Sequence, residues 1–208
     1  MGKALFRALL ILLVIAVAVV GIIVYGLTRR GLSTRAEPTR AEAFLARSVR
    51  RLATPATLRT MPNPVEKTTE VLDDAMGHFA DHCATCHAND GSGDTAIGRS
   101  FYPKAPDMKA SATQSLSDGE LFSIIENGIR LTGMPAWGDG TPEGERASWS
   151  LVHFIRKLPT LSAEEVERME ALNPKTPAEF REQEEARRFL AGDTAKPSLS
   201  PPATHPGH

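Results

Sequence analysis

The longest apolar run in the chain comes first. Residues 8–27, ALLILLVIAVAVVGIIVYGL, carry no charge. As a helix rising ~1.5 Å per residue they span roughly 30 Å, the thickness of a bilayer's hydrocarbon core. Tyr25 falls at the far end, where an amphipathic ring suits the interface. Export signals that are cleaved have apolar cores of only ~7–15 residues, so the pattern predicts an uncleaved single-pass anchor over residues 1–27. Residues 28–65 read as a basic linker. Within it Leu45, Val49 and Leu52 recur at helical spacing with Arg47, Arg50 and Arg51 on other faces, which predicts a short amphipathic helix resting on the domain or on a membrane surface. Pro55, Pro62 and Pro64 forbid its continuation. Unstructured, a linker of this length has a mean span of roughly 35 Å, enough to let an attached domain swing.

The pattern then becomes that of a small helical domain, residues 66–159. Val71, Leu72, Ala75, Met76 and Phe79 form an apolar stripe that predicts a helix from Glu66 to His82. A Gly-rich loop at 89–94 and a proline-bearing stretch at 102–107 come next. Ser117 and Glu120 have capping-box spacing, so a helix starts there and ends near Asn127-Gly128. Leu151, Phe154, Ile155 and Leu158 lie at i, i+3, i+4 and i+7 of a helix from about Gly144 that Pro159 stops. Ser162/Glu165 and Thr176/Glu179 are further capping boxes, giving a charged helical extension over 160–190. It reads as a solvated pair of helices packing on the domain, with an interaction arm as the alternative. Residues 191–208, rich in Pro, Ser, Ala and Thr, read as a disordered tail. No stretch reads as a strand, so the fold class is all-α.

Charge sharpens the division. Residues 1–65 hold ten Lys/Arg against two Asp/Glu, a net +8, while residues 66–158 hold eight against fourteen, a net −6. An acidic domain argues against nucleic acid as a partner.

The chemistry is concentrated in one place. The two cysteines of the chain are Cys83 and Cys86, with His87 immediately after them. Cys-x-x-Cys-His is the attachment signature of c-type haem: each thiol adds across a vinyl group, and the imidazole binds one face of the iron. A redox dithiol or half a zinc site shares the Cys-x-x-Cys spacing, but the histidine is immediate and no second ligand pair exists to complete a zinc site. His78 and His82 read as an exposed pair with no third ligand, and His153 as a surface residue.

On these residues the chain resembles the mono-haem class I cytochromes c, in a membrane-anchored bacterial form. The resemblance covers residues 66–158: a helix running into Cys83–His87, a Gly/Pro loop, a middle helix, a Gly133-Met134-Pro135 loop and a closing amphipathic helix. Phe79 matches the family's aromatic at a helix crossing, Ala75 stands where glycine is usual, and Trp149 and Phe154 supply the facing aromatics. The resemblance implies one covalently bound haem c with His87 and Met134 as axial ligands. Met76 is too close to His87 on the same helix to reach the opposite face, Met61 and Met169 lie at or beyond the domain edge, and Met108 remains an alternative. Gly133 would permit close backbone approach to the porphyrin, and Pro135 would stiffen the loop. Pro103, or in its place Pro106, would offer a carbonyl to the His87 ring.

Taken together, these readings give a membrane-anchored carrier of single electrons between respiratory redox partners, not an enzyme in itself. Its partners would dock through basic patches. The alternative is a haem-based gas sensor or a small catalytic haem subunit with a displaceable Met134. Lys3 and Arg7 before the anchor are outnumbered by Arg29, Arg30, Arg35 and Arg40 after it, which by itself would keep the domain inside. Haem c is attached outside the bacterial cytoplasm, and that places the domain on the periplasmic side of the inner membrane.

Overall fold

The computed structural model describes residues 2–31, 33–175 and 177–190, and every element among them is helical. The first, α1 (Gly2–Arg30), is 29 residues and about 43 Å long. It is long and apolar enough to cross a membrane, with none of its apolar stretch buried against protein. Next come α2 (Arg40–Ala53), α3 (Ala56–Arg59) and α4 (Thr69–His78), the last capped by the Thr68 hydroxyl on the Val71 amide. A π turn at Phe79–Cys83 joins α4 to α5 (Ala84–His87). Beyond it lie α6 (Ser111–Gln114), α7 (Asp118–Asn127) and α8 (Pro142–Lys157), and then α9 (Ala163–Leu172) and α10 (Pro177–Leu190). The capping boxes read at Ser117/Glu120 and Ser162/Glu165 both form. Thr176 and residues 191–208 lie outside the described residues.

The core forms where α4 crosses α8. Phe79 meets Phe154 with ring centroids 5.1 Å apart, Ala75 is buried beside them, and Trp149 stacks on Phe122 of α7 at 4.1 Å. Leu151, Phe154, Ile155 and Leu158, the stripe read from the sequence, are all buried. Arg156 fastens α8 to the start of α7, donating to the Gln114 and Leu116 carbonyls and to Asp118.

The core draws residues from both sides of the 66–159 span. On the N-terminal side Thr54 and Val65 are buried and Leu58 packs against the core. Asn63 donates to the Trp149 carbonyl at 2.8 Å, and His153 Nε2 lies 2.7 Å from the Val65 carbonyl. His153 is therefore half-buried and tied to the linker, not a surface residue. A Cβ on Gly119 would stand 1.7 Å from the Leu58 carbonyl oxygen, so only glycine lets α3 lie on α7. Residues 54–65 are thus fixed to the domain and cannot act as a free tether. On the C-terminal side α9 buries Met169 completely, and Arg168 reaches Asp73 at 3.0 Å and the Met76 sulfur at 3.2 Å. Asn173, with its amide oriented by its neighbours, donates to the Ala80 carbonyl at 3.0 Å. Within 160–190, α9 accordingly packs on the domain as expected. α10 belongs to a separate compact unit beginning at Pro174, in which Glu184 pairs with Arg187 and Arg188.

Candidate haem site

Cys83, Cys86 and His87 stand where the helix begun at Thr69 changes its winding. The π turn is closed by a bond from the Ala84 amide to the Phe79 carbonyl. One inserted residue rotates the next helical turn by about 100° relative to a continuous α-helix. Phe79 and Ala80 remain in the core, Cys83 and Cys86 are half-buried free thiols, and His87 keeps 8 % of its surface. The apolar stripe predicts an uninterrupted helix here; nothing in residue spacing marks the π turn.

Ala88 ends this helix in an unusual conformation, φ 61° and ψ 158°, a region that costs a non-glycine residue about 1–3 kcal/mol. Its amide still bonds the Ala84 carbonyl at 2.8 Å, and the Gly93 amide bonds the His87 carbonyl at 2.8 Å. Ala88→Gly is expected to stabilise the holoprotein by about 1 kcal/mol, after the extra unfolded-state entropy of glycine is subtracted. Denaturant unfolding with an unchanged haem spectrum is the check.

The loop after Ala88 is pressed against the motif. A Cβ on Gly98 would lie 2.3 Å from the Cys86 carbonyl oxygen, to which the Thr95 hydroxyl also donates at 3.2 Å. Asp90 accepts from Lys109 at 2.7 Å and from the Ser92 amide at 2.9 Å. Burial raises the Asp90 carboxyl, but these hydrogen bonds and the Lys109 charge outweigh it and hold the group at about 2. A carboxylate depressed in the folded state contributes stability above its ordinary value of about 3.9, and loses it as pH falls towards 2. Asp90→Asn should therefore flatten the acid limb of the stability profile between about pH 4 and pH 2, as tracked by circular dichroism.

Electrostatics separates the possible chemistries. Burial pushes the Cys83 thiol up to about 12, with Cys86 adding to it, and burial raises Cys86 as well. A redox-active dithiol needs a depressed thiol; both shifts here are in the other direction. No group of three His, Cys, Asp or Glu able to hold a metal ion occurs among the described residues. Burial pulls the His87 imidazole down to about 4, opposed by the Pro106 carbonyl. The ring is neutral at physiological pH and its lone pair is available. Its Nδ1 is buried without a well-aligned hydrogen bond. Pro103 and Pro106 are both exposed, and it is the Pro106 carbonyl that raises the ring.

The second loop is folded back on α7. The Ile129 amide donates to the Met134 carbonyl at 3.0 Å, while the Thr132 hydroxyl accepts from the Met134 amide at 3.1 Å and donates to the Ile129 carbonyl at 2.7 Å. The Trp137 amide then reaches the Ile125 carbonyl at 3.0 Å. A Cβ on Gly133 would lie 2.5 Å from the Phe101 ring. The aromatic surface that demands this glycine is therefore Phe101, which sequence spacing gave no sign of. Trp137 touches the ring of His82 at 5.5 Å, bringing the Met134 loop to the helix that carries the cysteines.

The methionines sort themselves by burial. Met76, Met108 and Met169 are core residues. Met61 is exposed in the stretch after α3, and Met134 is half-buried. Two free thiols, a neutral buried imidazole whose Nδ1 has no well-aligned hydrogen bond, and a thioether left out of the core form a donor set that fits haem c.

None of the curated proteins compared matches the chain. Residues 70–155 match the family described as Cytochrome C oxidase, cbb3-type, subunit III. Residues 70–155 are therefore similar to a c-type cytochrome domain, a type that carries haem and transfers electrons, and they lie behind an N-terminal apolar helix long enough to cross a membrane.

Proposed function

We propose that the chain is a membrane-anchored carrier with one covalently bound haem c, passing single electrons between respiratory redox partners. The observation that carries this reading is the convergence of two free thiols with a buried His87 whose Nδ1 has no well-aligned protein partner. Haem c supplies a one-electron iron couple. Cys83 and Cys86 hold it through thioethers, and His87 offers one ring nitrogen as a neutral ligand. Pro106 orients the ring through its carbonyl, in place of Pro103. Met134 would supply the second ligand. Its thioether would favour the reduced state and raise the potential.

α1 anchors the protein in the bacterial inner membrane, with the haem domain on the periplasmic side where haem c is attached. The flanking arginines oppose that orientation, and the haem motif supports it. The acidic excess over residues 66–158 suits partners with basic docking patches, and the fully exposed Leu131 at the tip of the Met134 loop offers them an apolar contact. A family described as an oxidase subunit makes a terminal oxidase the favoured class of acceptor.

Haem content per chain under denaturing conditions and the spectrum of the oxidised holoprotein test the reading together. One haem, a Met–iron charge-transfer band and no carbon monoxide binding on reduction are expected. A missing band with rapid carbon monoxide binding would overturn the carrier in favour of the sensor or catalytic alternative.

A further inference from the structure

α2 is a well-made helix with nothing against its apolar face. Thr39 and Glu42 close a capping box at its start, and Arg50 and Arg51 complement the dipole at its end. None of its residues is buried. Phe44, Leu45, Val49 and Leu52 are 69, 63, 55 and 82 % exposed. In water that exposure is a standing cost for a helix whose apolar positions are so regularly spaced.

The other face looks inward. Arg50 is half-buried, and its guanidinium is pulled down by burial and pushed back up by the Glu120 carboxylate of α7. Ala43 and Arg50, seven residues apart on one face and both half-buried, mark the side of α2 that turns towards the domain, and the side bearing Leu45, Val49 and Leu52 turns away from it. Both ends are held. Glu37 pairs with Lys104 of the loop beyond the haem motif. Immediately after α2, Thr54 is buried and Leu58 lies on Gly119. Residues 31–36 are all that separate α1 from Glu37, and six residues reach at most roughly 22 Å. The surface of any bilayer that α1 crosses is within that reach.

We propose that α2 lies in the headgroup layer of the membrane crossed by α1, with Leu45, Val49 and Leu52 in lipid. Arg51, exposed and the nearest of the arginines of α2 to that apolar face, reaches back to the phosphates of anionic lipids. The inference rests on the reading of α1 as a membrane span. Its consequence is mechanical. With α2 seated in the interface and residues 54–65 fixed to the domain, the haem domain is held in one orientation on the membrane and does not swing.

Spin labelling of full-length holoprotein, one copy per nanodisc of phosphatidylcholine and phosphatidylglycerol, tests this. Nitroxides are placed one at a time through Ile15→Cys, Leu45→Cys, Val49→Cys and Arg51→Cys, and collisions with oxygen and with a water-soluble nickel chelate are compared. Labels at 45 and 49 should show an oxygen-to-nickel ratio several-fold above that at 51. Phe44→Glu combined with Leu52→Glu should abolish the difference at 49 and leave the haem spectrum unchanged. Nickel-accessible labels at 45 and 49 would overturn the proposal. So would shielding from nickel without a gain in oxygen, or shielding found only with two copies per disc, since protein would then be the cover. The label at 15 reports on the anchor separately: lipid-immersed at 15 but wet at 45 and 49 defeats this proposal alone, whereas wet at 15 defeats the anchor.

Discussion

Cys83→Ala combined with Cys86→Ala is expected to abolish haem retention under denaturing conditions completely. Both thiols are free and half-buried, they flank the last turn before His87, and the chain has no other cysteine to take their place. Either single variant should keep one thioether and a reduced, detectable haem stain. The double variant should also lose stability well beyond the loss of two small side chains. A domain of this size buries little apolar surface without its prosthetic group, and Phe101 and Met134 remain only half-buried without it. Haem staining on a denaturing gel, beside limited proteolysis of the same samples, reads both effects. Full retention of haem by the double variant would mean that attachment does not run through these sulfurs.

Met134→Ala should produce the second large change. The charge-transfer band of the oxidised protein is expected to vanish, carbon monoxide should bind the reduced form, and the potential should fall by on the order of 0.1 V within the ~0.8 V range that axial ligands command. The other methionines make the result interpretable. Met76 and Met108 are buried in the core, so their replacement by alanine should cost about 2–5 kcal/mol of stability and leave the band in place. Met61 is exposed, and Met61→Ala should change neither. A band that survives in Met134→Ala and disappears in Met61→Ala would move the ligand to the other side of the domain.

Local regularities were legible in the sequence because local physics makes them. The anchor comes from twenty uncharged residues, α7 and α9 from hydroxyl and carboxylate residues at capping spacing, and α8 from an apolar stripe ended by proline. The haem motif needs only five consecutive residues. Phe79 against Phe154 was also foreseeable, but only through resemblance to a family with that crossing.

Tertiary structure decided the features that depend on residues distant in the chain. Gly119 is required by Leu58, Gly133 by Phe101, and His153 is turned inward by Val65; no periodicity connects such pairs. The same is true of the linker. Its prolines predicted a break after α2, and the break is there, but Asn63, Val65 and Leu58 fasten residues 54–65 to α7 and α8, so that part of it belongs to the domain. Packing also decides which methionine sulfurs the core uses, since it buries Met76, Met108 and Met169 and leaves Met134 half-buried. The residues 83–87 determined what could be bound. Packing over long range determined which of the remaining residues were left free to face it.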